Sequence, residues 1–167
     1  DLAAGSDIVL DNFAFGTMQF GGKADAAASQ LMFEAAIDAG LTHFDTAHLY
    51  TDGASEEILG ALAAPLRQRL VIATKVGYRD GTLPEQLRRD FDLSRKRLAM
   101  EVVDLLYLHR FDKETPLEAQ LEALVALKEA GDIRYIGVSN FAAWQVMKAQ
   151  SILGGMGHGV DIIQPMY

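Results

Sequence analysis

The chain has 167 residues, half of them hydrophobic and 23% charged, which is the composition of a folded domain with its own core. It contains no cysteine, so disulfides, thiolate metal sites and cysteine nucleophiles are all excluded. The net charge of -8, with no run of lysine or arginine, argues against nucleic acid or an anionic membrane as the main partner.

Short apolar runs alternate with longer segments of helical period. Six runs have the composition of strands, at residues 13–20, 41–47, 70–76, 102–109, 135–140 and 160–167. Five segments between them have helical period, at about residues 25–39, 55–63, 83–98, 116–130 and 141–152. Thr82 and Thr115, each followed three residues later by glutamate, are predicted to cap two of these helices. Strict alternation predicts parallel strands, in either an open doubly wound sheet or a (β/α)8 barrel.

Polar side chains end five of the predicted strands, and their spacing favours the barrel. These residues are Asp45, Lys75, His109, Ser139 with Asn140, and Gln164. Their separations correspond to about one strand-helix unit each. In a barrel the carboxyl ends of all strands meet on one rim, whereas five consecutive strands of an open sheet cannot all face one crevice. The sequence therefore predicts a (β/α)8 TIM barrel whose rim carries the chemistry.

The chain is short for this fold. A complete barrel has eight units and about 250 residues, whereas only six strands and five helices are predicted here. A six-stranded parallel sheet would keep open edges, which proteins rarely leave uncovered. We therefore expect residues 1–167 to be a single domain, the N-terminal part of a barrel lacking its last two βα units.

Two other kinds of site fit parts of the sequence poorly. A metal ion held by His43, Asp45 and His48 would need a tight turn after the strand, and no second segment supports it, so we predict no metal site. A hydrolase triad of Ser139, His109 and Asp45 would lack the G-x-S-x-G nucleophile elbow.

The remaining set, Asp45, Tyr50, Lys75 and His109, is chemically coherent. A tyrosine with its ordinary pKa of about 10 is a slow proton donor at neutral pH. A nearby ammonium lowers that pKa, and a carboxylate keeps the ammonium charged and oriented. A histidine on the next strand end can donate a hydrogen bond to a substrate carbonyl. The pattern indicates a proton-donating site.

The motifs along the chain resemble those of the aldo-keto reductases, which are NAD(P)H-dependent (β/α)8 barrel enzymes. In chain order they are "FGTMQFGG", "GLTHFDTAHLY" followed by "SEEILG", "VIATKVGY", "VVDLLYLHRFD", "GDIRYIGVSNF" and "IIQPMY". They run through nearly the whole chain with the spacing of the family. The resemblance implies an oxidoreductase of the EC 1.1.1 type that reduces aldehydes or ketones to alcohols.

The resemblance also implies a catalytic tetrad of Asp45, Tyr50, Lys75 and His109. Tyr50 would supply the proton, and Lys75, paired with Asp45, would lower the pKa of Tyr50. His109 would orient the substrate carbonyl. Hydride would come from a nicotinamide cofactor, with NADPH expected first and NADH as the alternative.

Ser139, Asn140 and Gln164 would bind the nicotinamide carboxamide, beside Asp45. The family's stacking aromatic and phosphate-binding loop belong to later strands, beyond Tyr167.

Alternative functions remain open at this point. A cofactor-binding regulatory subunit would keep the same tetrad, and a truncated chain would be inert. We expect a cytoplasmic protein, because neither a membrane span nor a signal peptide is recognisable. The resemblance implies a small carbonyl compound as its partner. The stretch "SRKRL" departs from the family pattern at Arg95 and Lys96, to which we attach no function. The sequence predicts neither the substrate nor the oligomeric state.

Overall fold

The computed structural model describes residues 13–79 and 81–166; Tyr167, at the end of the sixth predicted strand, lies outside them. The strands of this described part are β1 Ala14–Gly16, β2 His43–Asp45, β3 Val71–Val76, β4 Val103–Leu108, β5 Ile133–Ser139 and β6 Ile162–Gln164. The α-helices are α1 Ala26–Asp38, α2 Ala54–Ala63, α3 Pro84–Leu98, α4 Leu117–Glu129 and α5 Ala143–Gly155. Short 3-10 helices cover Tyr50–Gly53 and Ala64–Arg69.

The strands form one parallel sheet in the order β1-β2-β3-β4-β5-β6. A doubly wound sheet reverses its strand order at a switch point, and this order shows no reversal. Six parallel strands with alternating helices make a curled half-barrel, so the prediction of an incomplete (β/α)8 barrel is confirmed.

The two faces of the sheet have different neighbours. Phe44, Ile72 and Leu106 face the helices and belong to the large apolar core. The opposite face carries a smaller apolar cluster around Leu105 and Tyr107. Since side chains alternate along a strand, each strand contributes to both layers. The inner cluster forms an apolar floor below the polar strand ends.

The predicted caps at Thr82 and Thr115 are wrong. Helix α3 is preceded by Leu83 and α4 by Pro116, and neither threonine caps its helix. The hydroxyl of Thr82 instead donates to the carboxylate of Asp112, at 2.6 Å. A charged acceptor makes a stronger hydrogen bond than a helix amide does, so Thr82 ties the loop after β3 to the loop after β4.

Among the described residues, no helix combines the length and the apolar character that crossing a membrane requires.

Helices α2 and α3 approach closely at Gly60. A Cβ atom built there would overlap the backbone carbonyl of Leu98, whose carbonyl carbon would lie only 2.6 Å away. Backbone cannot move aside as a flexible side chain can. The absence of a side chain at Gly60 therefore sets the spacing between α2, which follows the loop of Tyr50, and α3, which ends at Leu98.

We expect Gly60→Ala to lower the free energy of unfolding by about 1–3 kcal/mol, because the added methyl group overpacks this contact. Urea denaturation measures the change. Gly154→Ala is the matched control, since Gly154 lies in α5 and a Cβ there meets nothing within 4 Å. The control should be neutral or stabilising by up to about 1 kcal/mol. Equal effects of the two variants would contradict the close-packing account.

Candidate active site

Asp45 and Lys75 form a buried ion pair at the carboxyl ends of β2 and β3. The two strands are parallel neighbours with Asp45 level with Ala73, which places Lys75 two residues further toward the rim. Lys75 Nζ lies 2.5 Å from Asp45 Oδ2 and donates to the Thr46 carbonyl at 2.8 Å. The side chain of Lys75 is fully buried. A buried ammonium needs such partners, because desolvation otherwise disfavours its charge.

Tyr50 reaches this ion pair from the loop that follows β2. It begins the 3-10 turn Tyr50–Gly53, five residues after Asp45. Lys75 Nζ donates to Tyr50 Oη at 3.4 Å and lies 5.0 Å from the centre of the tyrosine ring. Asp45, Lys75 and Tyr50 are therefore joined through one ammonium group.

His109 lies beside Tyr50, directly after β4. The two rings meet edge to face with their centres 5.8 Å apart, and the Tyr78 ring lies 4.8 Å from the imidazole on another side. His109 Nδ1 is buried and has no hydrogen-bond partner in the part of the chain that the structure describes. The structure thus brings together all four residues of the predicted tetrad.

Burial controls the protonation of this group. Burial, with a smaller contribution from Asp45, raises the pKa of Tyr50 to about 12. The net shift is therefore opposite to the one expected from Lys75, because burial outweighs the effect of an ammonium that is already paired with Asp45. Burial also lowers the pKa of Lys75, and Asp45 opposes that shift.

The imidazole of His109 is neutral at physiological pH. Burial lowers the pKa of His109 to about 4, and the nearby charges of Lys75 and Arg110 act in the same direction. A neutral imidazole keeps one N–H donor and one acceptor nitrogen. It can therefore donate a hydrogen bond without carrying a positive charge.

Ser139, Asn140 and Gln164 form a second polar group on the same rim, from β5 and β6. Ser139 Oγ donates to Gln164 Oε1 at 3.4 Å, and Gln164 Nε2 donates to Asp45 Oδ2 at 3.4 Å. Asn140 Nδ2 donates to the His109 carbonyl at 2.9 Å and to Ser139 Oγ at 3.2 Å. These contacts link the amide and hydroxyl groups to the tetrad.

Two sites considered from sequence are not assembled. The Ser139 hydroxyl contacts Gln164 rather than the His109 ring, so the hydrolase triad is not formed. His48 Nδ1 lies 3.1 Å from Ser94 Oγ, whereas His43 is buried and burial lowers its pKa. Within residues 13–79 and 81–166, no group of three histidine or acidic side chains is placed to hold a metal ion.

A cavity of about 170 Å³ adjoins the tetrad. Lys75 and His109 line it, together with Tyr78, Asp52 and Arg97. Sequence reasoning gave these last three residues no role. Tyr78 had one usable signal, since it follows Lys75 by three residues just beyond the strand end. Asp52 and Arg97 had none, because their position depends on how the loop after β2 packs against α3.

A profile of the Aldo/keto reductase family matches residues 12–166. The chain belongs to the aldo/keto reductase family. It is 42% identical over 136 residues to human aflatoxin B1 aldehyde reductase member 2, covering 78% of this chain and 38% of that protein. It is 37% identical over 142 residues to aldo-keto reductase yakc [NADP(+)] of Schizosaccharomyces pombe, covering 78% of this chain and 42% of that protein.

A solved structure is similar across most of this aldo/keto reductase chain. It is a thermostable aldo-keto reductase, Tm1743, in complex with the inhibitor epalrestat, with a TM-score of 0.84 and 32% sequence identity. The match covers 92% of this chain and 57% of the other. The chain therefore spans about two fifths of the two curated relatives and just over half of the solved structure.

We expect His109→Gln to flatten the dependence of stability on pH between about 6.5 and 4. An unfolded chain protonates histidine near pH 6.5, whereas folded His109 does so only near pH 4. The unfolded state thus binds more protons in that window, and wild-type stability falls as pH falls, by about 3 kcal/mol from this residue.

Urea denaturation across that pH range measures the slope. A slope unchanged by His109→Gln would contradict the assignment of a neutral buried imidazole.

Proposed function

We propose that the whole protein is an NAD(P)H-dependent oxidoreductase that reduces aldehydes or ketones to alcohols, with Tyr50 as proton donor. The observation that carries this proposal is the single buried ammonium of Lys75, which joins Asp45 to Tyr50 beside a neutral His109. The aldehyde reductase named among the relatives supports the same reaction class.

Each residue of the tetrad has a different chemical role in the proposed reaction. Tyr50 holds a phenolic proton at the rim, and its raised pKa keeps that proton in place at neutral pH. His109 supplies a neutral N–H that can donate to a substrate carbonyl oxygen and fix its orientation. Lys75 places positive charge beside the phenol, where it stabilises the phenolate left after proton transfer. Asp45 holds the ammonium in that place.

The rim residues fit a nicotinamide. Ser139, Asn140 and Gln164 offer hydroxyl and amide groups that match the donor and acceptor groups of a carboxamide. Their mutual contacts at 3.2 and 3.4 Å are long, and Asp45 Oδ1 is buried without a hydrogen-bond partner among the described residues. The bound cofactor would supply the hydride. We favour NADPH, as the name of the Schizosaccharomyces pombe relative specifies NADP(+), with NADH as the alternative.

We also propose that the chain is the N-terminal part of a longer barrel. The six strands of the described residues leave β1 and β6 as the edges of the sheet, and the chain covers only part of each relative described above. Two further βα units would close the sheet from β6 to β1. The experiments below therefore use the full-length protein.

Tyr50→Phe should reduce carbonyl turnover by about 100-fold or more, because it removes the proton donor while leaving the ring in place. Oxidation of NADPH with small aldehydes measures turnover, and fluorescence titration should show cofactor binding unchanged. Tyr107→Phe is the matched control, since Tyr107 is also buried and lies 5.7 Å from Lys75 Nζ on the apolar floor. Wild-type turnover in Tyr50→Phe would refute the role of Tyr50.

Gln164→Ala should weaken binding of the nicotinamide cofactor by about tenfold, the usual effect of losing one or two hydrogen bonds. The same titration measures the dissociation constant. Gln30→Ala, on the exposed surface of α1 beside Glu34, is the control and should bind as wild type. Equal affinity in Gln164→Ala and wild type would remove Gln164 from the carboxamide site.

A further inference from the structure

The loop that carries Tyr50 has an unfavourable backbone. Three consecutive residues after Tyr50 have positive φ angles: Thr51 at 49°, Asp52 at 53° and Gly53 at 101°. Residues other than glycine rarely adopt this conformation, and a β-branched threonine least of all. The loop therefore depends on contacts from elsewhere in the chain to hold its shape.

Arg97, in the last turn of α3, makes such contacts on both sides of Tyr50. Its Nη1 donates to the His48 carbonyl at 3.0 Å, and its Nη2 donates to the Asp52 carbonyl at 3.4 Å. The guanidinium also lies against Gly53, where a Cβ atom would fall 2.7 Å from Nη2. One planar group thus holds the residues two before and two after Tyr50.

Arg97 is itself fixed by a buried carboxylate. Its Nη1 lies 3.4 Å from Oε2 of Glu56, a residue of α2 that is completely buried. The other oxygen, Oε1, accepts a hydrogen bond from Thr74 at 2.6 Å. Thr74 directly precedes Lys75 on β3. A continuous path of polar contacts therefore runs from the strand of Lys75, through Glu56 and Arg97, to the loop of Tyr50.

We infer that Arg97 is a positioning residue for the proton donor. It acts through the loop and sets the distance between the Tyr50 hydroxyl and the Lys75 ammonium. The inference rests on the proposed function and goes beyond it, because it places the control of Tyr50 on helix α3, outside the tetrad itself. A planar, forked donor is required, since three acceptors in different directions share it.

The test is Arg97→Lys in the full-length protein. Lysine keeps a positive charge opposite Glu56 but cannot reach both carbonyls and the carboxylate together. We expect kcat to fall by about 10- to 100-fold, since a displacement on the order of 1 Å at a reacting group costs about that much. KM and the cofactor dissociation constant should stay within about threefold of wild type, because binding groups are untouched. The deuterium isotope effect on kcat, measured with cofactor labelled at the transferred hydride, should rise.

Arg95→Lys is the matched control. Arg95 lies two residues earlier on α3 and donates to Asp132 at 2.7 Å and to the Glu101 carbonyl at 2.8 Å, away from the Tyr50 loop. It should lose comparable stability and keep kcat. An equal fall of kcat in both variants, or wild-type kcat in Arg97→Lys, would overturn the inference. A rise in KM with kcat unchanged would overturn it as well, since it would make Arg97 a substrate contact in the cavity.

Glu56→Gln is the alternative test if Arg97→Lys does not fold. Glutamine keeps an acceptor for Thr74 and removes the buried charge, so Arg97 loses its anchor but retains its carbonyl contacts. We expect a smaller fall in kcat, of roughly 3- to 10-fold, with the same rise in isotope effect; an unchanged isotope effect would count against the inference.

The proposed function and the positioning role can fail separately. If Tyr50→Phe is inactive and Arg97→Lys is fully active, the positioning role alone is wrong. If the wild-type protein reduces no carbonyl compound, the proposed function is wrong and this inference falls with it.

Discussion

The ion pair between Lys75 and Asp45 governs the arrangement of the rim. An ammonium that is fully buried is stable only where its charge and its three donors are satisfied. Asp45 Oδ2, the Thr46 carbonyl and Tyr50 Oη supply those acceptors, and they all come from β2 and the loop after it. Lys75 on β3 therefore fixes the path of the chain that leaves β2. The position of Tyr50 follows from this electrostatic requirement as much as from packing.

The sheet makes such a pair possible because its inner face changes character along the strands. Below the rim, Ala73, Leu105 and Tyr107 form a buried apolar floor. Low polarity there strengthens the attraction between Lys75 and Asp45 and also raises the cost of leaving either unpaired. The same environment raises the pKa of Tyr50 and lowers that of His109. Burial thus keeps the two neighbours neutral, while Lys75 retains its charge through its contact with Asp45.

Much of this arrangement is predictable from sequence, and the limits are physical. A repeat of one strand and one helix places every strand end on one rim, so Asp45, Lys75 and His109 can be assigned without coordinates. The shift in the pKa of Tyr50 cannot be assigned in this way. Its sign depends on whether burial outweighs an ammonium that Asp45 already neutralises, and such a balance is set by distances.

The absence of the two threonine caps and the contacts of Arg97 were missed for a related reason. A capping pattern at Thr82 is local, whereas the acceptor that its hydroxyl uses is the carboxylate of Asp112, thirty residues later in the chain. Arg97 and His48 are 49 residues apart, and nothing in the spacing of α3 distinguishes Arg97 from Arg95. Sequence pattern reports which face of a helix is apolar, whereas these contacts depend on which loop the polar end of that helix reaches.

A raised pKa at Tyr50 is compatible with proton donation to a reduced carbonyl. The acceptor that forms when hydride adds to a carbonyl is an alkoxide, and an alcohol is a much weaker acid than a phenol, even one with a pKa of about 12. In the proposed reaction, transfer from Tyr50 would therefore be downhill at that stage, while the same pKa prevents early loss of the proton to water. Lys75 would then matter most after the transfer, when the phenolate would lie beside its ammonium. The ion pair holds the phenol in place in the structure, and in the proposed reaction it would stabilise the conjugate base afterwards.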